Sequence, residues 1–219
     1  MGELEKTQKT SKKKLANKET NMGGDNSKYD NVALKVPADK VNHFPGSHQY
    51  ISNQDTELLF KSKFLSSKVR VKTVEDDKEV FIVRNSCSLF SPTGVSLGLS
   101  CVGKGFITKK WLMRYESNGK SLVYATLDGN TRKINVFLHP PYKESDEEGF
   151  KIKGKAPDIV VKRCGNTDHD ILYGDPKNNP FKIATKRTNK ILIAAQVDIR
   201  FAVLLATYSE HLFQEMDGA

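Results

Sequence analysis

The closing segment of the chain constrains its fold more than any other stretch. Asp198 is followed by Ile199, Phe201, Ala202, Val203, Leu204, Leu205 and Ala206, and apolar residues continue at Tyr208, Leu212 and Phe213. Wound as a helix, these positions crowd every face. A helix that is apolar all round has to be enclosed by other elements. Asp198 supplies a side-chain oxygen where a helix N-cap needs one. A membrane span is the rival way to satisfy such a helix. Gln196, Asp198 and Arg200 interrupt the stretch Ile191 to Tyr208, and the clean run after Arg200 falls well short of the roughly 20 residues a span requires. The segment is therefore predicted as a core helix inside a protein, with Phe201, Leu204, Leu205 and Tyr208 as its buried residues.

What precedes it reads as short strands. Leu58 to Leu65 is one. Lys68 to Val74 alternates, with Val69, Val71 and Thr73 on one side and Lys68, Arg70 and Lys72 on the other. Glu75 to Lys78 turns the chain, and Glu79 to Arg84 returns. Gly105 to Glu116 and Lys120 to Asp128 form a second hairpin, with Asn118-Gly119 as a type I′ turn signal. Ile134 to Leu138, Phe150 to Lys155, Ile159 to Arg163, Asp170 to Tyr173, Pro180 to Lys186 and Lys190 to Val197 continue the series, with Pro140 to Gly149 as a polar, acidic loop. Many short strands at close spacing predict a sandwich or a barrel. No repeat of fixed period stands out.

The other end is different. Residues 1 to about 30 are mostly Lys, Thr, Asn, Glu and Gly, too polar to offset the entropy of ordering them. Residues 32 to 55, with Pro37 and Pro45, read as an extended lead-in. The expected division is a flexible basic tail and lead-in over 1–50 and one domain over 51–219. Lys12 to Lys14 suits a weak nuclear or membrane address, or simply a solvated tail. Neither the start of the chain nor Met22-Gly23 qualifies as a myristoylation site. No signal peptide is visible, because residues 1–31 hold almost no apolar run. Cys87, Cys101 and Cys164 are sparse, odd in number and not spaced for zinc, which points to a reducing compartment. A cytoplasmic protein is expected, peripheral to membranes where it meets them, with the nucleus as an alternative.

Motifs for catalysis fail on context. Gly94-Val95-Ser96-Leu97-Gly98 fits G-x-S-x-G, but Leu99-Ser100-Cys101-Val102-Gly103 follows where a nucleophile elbow needs a helix. Gly98 to Lys104 approaches a phosphate-binding loop, yet Gly105 stands where a Ser or Thr should be. His43, His48, His139, His169 and His211 show no zinc spacing, and His169 between Asp168 and Asp170 reads as a polar turn. Trp111, Phe106 and Tyr115 read as packing rather than a stacking platform. No enzyme, metal or cofactor is expected.

The charge points elsewhere. Lys and Arg number 35 against 26 Asp and Glu, a net charge of +9, and such an excess favours anionic partners. Strand alternation groups cations: Lys61 with Lys63, Arg70 with Lys72, Lys151 with Lys153 and Lys155, and Lys182 with Lys186. Phe60, Val71, Ile152 and Ile183 alternate with them toward the presumed core. These rows are either the solvated outside of a barrel or parts of one patch for phosphate headgroups, where each basic residue adds about 1 kcal/mol near an anionic leaflet.

In the order of its late elements the chain resembles the LURP-one-related family, within the tubby C-terminal and phospholipid-scramblase superfamily. The residues that carry the resemblance are Phe150-Lys151-Ile152-Lys153-Gly154, Asp170-Ile171-Leu172-Tyr173, Phe181-Lys182-Ile183-Ala184, and the closing Ile191 to Asp198 followed by Ile199 to Leu205. The resemblance covers about residues 55–215. It implies a mainly β fold, a closed antiparallel barrel of about twelve strands threaded by the C-terminal helix. For function it implies less: tubby domains bind phosphoinositides through surface Lys and Arg, and LURP-one-related members have no settled biochemical activity. No Cys-rich cluster or alternating acidic calcium loop is present, so lipid scrambling is not implied. The expected function is a binding module for anionic membrane lipid, a phosphoinositide headgroup, through Lys151, Lys153, Lys155, Lys182, Lys186, Arg70 and Lys72. The alternatives are a protein-interaction scaffold with no lipid ligand, and nonspecific nucleic-acid binding through the tail and strands.

Overall fold

A computed structural model of the chain describes residues 32, 34–36, 48–62, 67–104, 110–115, 121–128, 132–138, 156–174 and 179–218. The strands among them are β1 (Thr56–Ser62), β2 (Lys68–Thr73), β3 (Glu79–Arg84), β4 (Ser88–Phe90), β5 (Ser96–Lys104), β6 (Lys110–Tyr115), β7 (Ser121–Asp128), β8 (Lys133–Leu138), β9 (Ile159–Arg163), β10 (His169–Tyr173), β11 (Phe181–Arg187) and β12 (Lys190–Ile193). Each pairs antiparallel with its neighbours in sequence, and β1 also pairs with β12, so the sheet closes into a twelve-stranded barrel. Closure removes the free edges that an open sheet exposes to other chains.

The barrel is filled by one helix, α1 (Ile199–Asp217). Twelve strands enclose more width than strand side chains alone can fill. Phe201, Leu204 and Leu205 are fully buried and Tyr208 is nearly so. They pack with Val71, Val83, Leu89, Leu99, Met113, Val136, Ile171 and Ile191 from the strands into one core. Thr207 satisfies its own hydroxyl on the Val203 and Leu204 carbonyls, which lets a polar residue sit inside. Asp198 is the N-cap, accepting from the Arg200 and Phe201 backbone amides. At the other end Arg163 of β9 donates to Asp217 at 2.5 Å and pins the last turn. That pairing holds the Asp217 carboxyl below its usual range, where the helix dipole alone would disfavour an acid.

Two of the elements were not legible as strands. Ser88–Phe90 and Ser96–Lys104 form a pair whose register slips: Ser88 faces Ser100, but Phe90 faces Ser96. Gly98 absorbs the slip at φ +74°, and Gly94 makes the preceding turn at φ +86°. Ser96 of the G-x-S-x-G sequence therefore begins a strand of the barrel wall. The strand predicted over Lys190 to Val197 ends at Ile193, because Gln196 takes a positive φ of 68° in the turn into α1. The strand predicted over Phe150 to Lys155 and the Asn118-Gly119 turn lie outside the described residues.

Part of the lead-in belongs to the barrel. β12 ends before the first residues of β11, leaving that stretch of edge open. Lys35 N–H donates to the Lys182 carbonyl there at 2.9 Å, Leu34 bridges Lys182 in parallel, and Leu34 and Val36 pack against the core. A 3-10 turn, His48–Tyr50, sets the Tyr50 ring 6.2 Å from Phe81. Ile51 then bridges Asp198.

Candidate functional site

The cation rows separate in the fold. Arg70 and Lys72 lie on the outer face of β2, beside Lys61 on β1, as alternation predicts. The hairpin to β3 brings acids to the same face. Asp77 accepts from Lys61 at 2.5 Å and from Lys72 at 2.7 Å, and Glu79 accepts from Arg70 at 3.0 Å. These contacts hold the Asp77 carboxyl below its usual range. One strand further round, Glu57 accepts from Lys190 at 3.0 Å. On this part of the wall four cations thus meet three acids, with Asp77 shared between Lys61 and Lys72. Lys151, Lys153 and Lys155 lie outside the described residues, as does Lys63.

Lys182 and Lys186 correct the reading of β11. Alternation puts them on one solvated face, yet the structure buries both and sends them to opposite sides. The cause is a bulge: Ala184 faces Ile171 while Lys182 faces Leu172, so Ile183 is an extra residue. One added residue inverts the alternation for everything beyond it.

On the outer side, Lys182 joins a charge cluster around Asp170, which is fully buried. Thr185 Oγ1 donates to Asp170 Oδ1 at 2.6 Å, Arg187 Nη2 stands 2.8 Å from the same oxygen, and Lys182 Nζ stands 3.5 Å from Oδ2. Lys162 is the in-register neighbour of Asp170 on β9. Burial, with the Asp170 charge adding to it, pushes the nearby Cys164 thiol up to about 11, far from the thiolate that reactive cysteines need.

On the inner side, Lys186 is in register with Ile191 and with His169, so it points into the barrel. His169 is fully buried against the Phe213 ring, and its Nε2 has no hydrogen-bond partner. Burial, reinforced by the Lys186 charge, drives the His169 imidazole down to about 3, so it is neutral at physiological pH. Lys186 Nζ donates to the carbonyls of Thr167 at 3.2 Å and Thr188 at 2.6 Å, and pairs with Glu210 of α1 at 3.1 Å. It also stands 5.6 Å from the centre of the Phe60 ring.

Beside Lys186 lies a cavity of about 250 Å³, at the end of the barrel where the later turns of α1 emerge. Phe60 and Val69 line it on the strand side, Ser86 and Asn189 on the turns, and Glu210 and Gln214 on the helix. The sequence offered no signal for this cavity. Phe60, Ser86, Lys186 and Gln214 are far apart in the chain, and only barrel closure brings them together. Among the described residues no group of His, Cys, Asp and Glu is arranged to hold a metal ion, and no helix is long and apolar enough to cross a membrane.

The class is thus a closed, antiparallel, twelve-stranded β-barrel with a single C-terminal helix as its core. An X-ray structure of an Arabidopsis thaliana protein has a similar fold, with a TM-score of 0.54 at 14% sequence identity, covering 75% of this chain and 94% of that one. At that identity the likeness concerns the fold alone. No protein-family profile and no curated protein matches the sequence.

Proposed function

We propose that this chain is a non-enzymatic binding module of the LURP-one-related kind, acting as a protein-interaction scaffold. The observation that carries this reading is the pairing of the outer cations. A membrane-facing patch needs unmatched basic residues pointing one way. On β1 and β2 the cations Lys61, Lys72 and Arg70 each meet Asp77 or Glu79, and Lys182 and Lys186 are buried on opposite sides of β11. Interspersed charges of both signs suit the polar rim of a protein interface, where they set partner choice more than affinity.

Anionic lipid is the second reading, favoured by the net charge of +9 and by the Lys151, Lys153 and Lys155 row. A pelleting assay separates the two, using neutral vesicles and vesicles carrying phosphoinositide, with a nucleic-acid gel shift alongside. The scaffold reading expects neither to bind at physiological salt. It also expects Asp77→Lys with Glu79→Lys to weaken crosslinking to protein partners in cell extract. Salt-sensitive pelleting that Lys151→Glu, Lys153→Glu and Lys155→Glu together abolish would replace it with the lipid reading.

A further inference from the structure

Lys186 points into the barrel between Ile191 and the neutral His169, where most inward positions carry apolar side chains. Its cross-strand neighbour Ile191 is fully buried, and its own side chain is 2% exposed. An ammonium there costs desolvation that a leucine would avoid, and a buried ion pair is often no more stable than apolar residues of the same volume. Packing therefore gives no reason for a lysine at this point.

The three acceptors around its Nζ are not equivalent. The Thr167 and Thr188 carbonyls belong to the backbone beside β10 and β11 and are fixed by the path of the chain. The third acceptor, Glu210, is a side chain on α1 that is 23% exposed and lines the cavity. It can swing away from Lys186 without disturbing a strand. At about 250 Å³ the cavity has room for several waters or a small metabolite. Its charged and titratable lining groups are Lys186, Glu210 and His211, and His211 Nε2 stands 3.2 Å from Glu215 on the outer side of the helix.

We propose that this cavity binds a small molecule bearing a phosphate or carboxylate group, whose oxyanion takes the place of Glu210 on Lys186. Two backbone carbonyls hold the ammonium in position before the ligand arrives, so little reorganisation opposes binding. The Ser86 hydroxyl and the Asn189 and Gln214 amides supply neutral donors around the oxyanion, and Phe60 and Val69 cover its carbon skeleton. Glu210 is then a built-in competitor: it neutralises Lys186 in the empty site and sets the affinity for the incoming anion. This inference does not rest on the scaffold reading, since the cavity opens at the barrel end and the ion-paired face is on the wall.

The test uses the full-length chain and inorganic phosphate, with glycerol 3-phosphate and vesicles containing phosphatidic acid as further arms. Binding is read by calorimetry and by the rise in melting temperature over chloride at equal ionic strength. Glu210→Gln removes the competitor and is expected to tighten phosphate binding about tenfold, equivalent to about 1.4 kcal/mol. Lys186→Met is expected to abolish it. A role for Lys186 and Glu210 in pinning the helix alone would produce neither effect. Binding of free glycerol 3-phosphate identifies a soluble ligand, and binding confined to the vesicles and lost in Lys186→Met identifies a lipid headgroup. The proposal is overturned if Glu210→Gln, which alters only a partly exposed side chain, binds none of the three probes. It is equally overturned if folded Lys186→Met binds phosphate as the parent does.

Discussion

Asp198 caps the helix and neutralises Arg200 with the same carboxylate. Its Oδ1 accepts from the Arg200 and Phe201 amides at 2.8 and 3.2 Å, while Oδ2 stands 2.9 Å from Arg200 Nη2. Both side chains are almost fully buried. The guanidinium continues outward, donating to the Leu97 carbonyl of β5 at 3.2 Å and lying 3.9 Å over the Tyr50 ring. One buried pair thus fastens the start of α1 to the barrel wall and to the lead-in.

Asp198→Ala should therefore cost more than a lost cap. Cap removal alone costs about 0.5–2 kcal/mol, and stranding a buried charge costs roughly 3–5 kcal/mol. We expect a loss of at least about 3 kcal/mol in urea unfolding. Asp198→Asn, which keeps the cap oxygen and loses the charge, should fall between. Asp198→Ala combined with Arg200→Met should recover part of the loss, because no charge is left unpaired. Additive effects of the two substitutions would refute the coupling.

Leu204 sits at the centre of the helix with no exposed surface. Leu204→Ala should cost roughly 2–5 kcal/mol through the cavity it leaves. Leu204→Asp should prevent soluble folding, since it would put a charge into the apolar core cluster. Soluble, folded Leu204→Asp protein, judged by circular dichroism, would contradict the enclosed helix.

His169 makes stability depend on pH. Its folded-state value near 3 lies below the unfolded value of 6.5, so the unfolded chain binds a proton that the folded chain refuses. Stability is then fully present above about pH 6.5 and falls as pH drops toward 3, by up to about 1.4 kcal/mol per pH unit. His169→Met should flatten that slope while leaving stability at pH 8 within about 1.5 kcal/mol. An unchanged slope in denaturant titrations from pH 4 to pH 7 would assign the acid sensitivity to other groups.

Truncation separates the tail from the lead-in. Removing residues 1–30 should leave the melting temperature unchanged. Removing residues 1–36 also takes away Leu34, Val36 and the backbone bond to Lys182. Half-burial of two aliphatic side chains is worth roughly 2 kcal/mol, which lowers the melting temperature of a domain this size by about 4–8 °C. Equal melting temperatures for the two truncations would show that these contacts add nothing.

Much of the fold was written locally. Glu79–Arg84 and Ile159–Arg163 run between the residues that alternation and turn signals chose, and Asp198 caps the helix that follows it. β4 and β5 were hidden because their glycines break the alternation: at positive φ, Gly94 makes the turn between the two strands and Gly98 serves a register slip inside the sheet. The site was harder to read than the fold. Arg70 and Lys72 face outward as expected, but the acids that meet them arrive from the hairpin turn, at Asp77, and from the next strand, at Glu79.

By itself the sequence determined that the chain makes short strands and one helix too apolar to be left uncovered, because period and capping depend on neighbours a few residues apart. Tertiary structure alone decided the fate of Lys182 and Lys186. A single bulge residue, Ile183, exists only in relation to the partner strand β10, and it turns one lysine to Asp170 and the other to Glu210. Alternation counts residues along one strand. The side on which a side chain lands depends on how two strands are paired, and pairing is settled when the whole barrel closes.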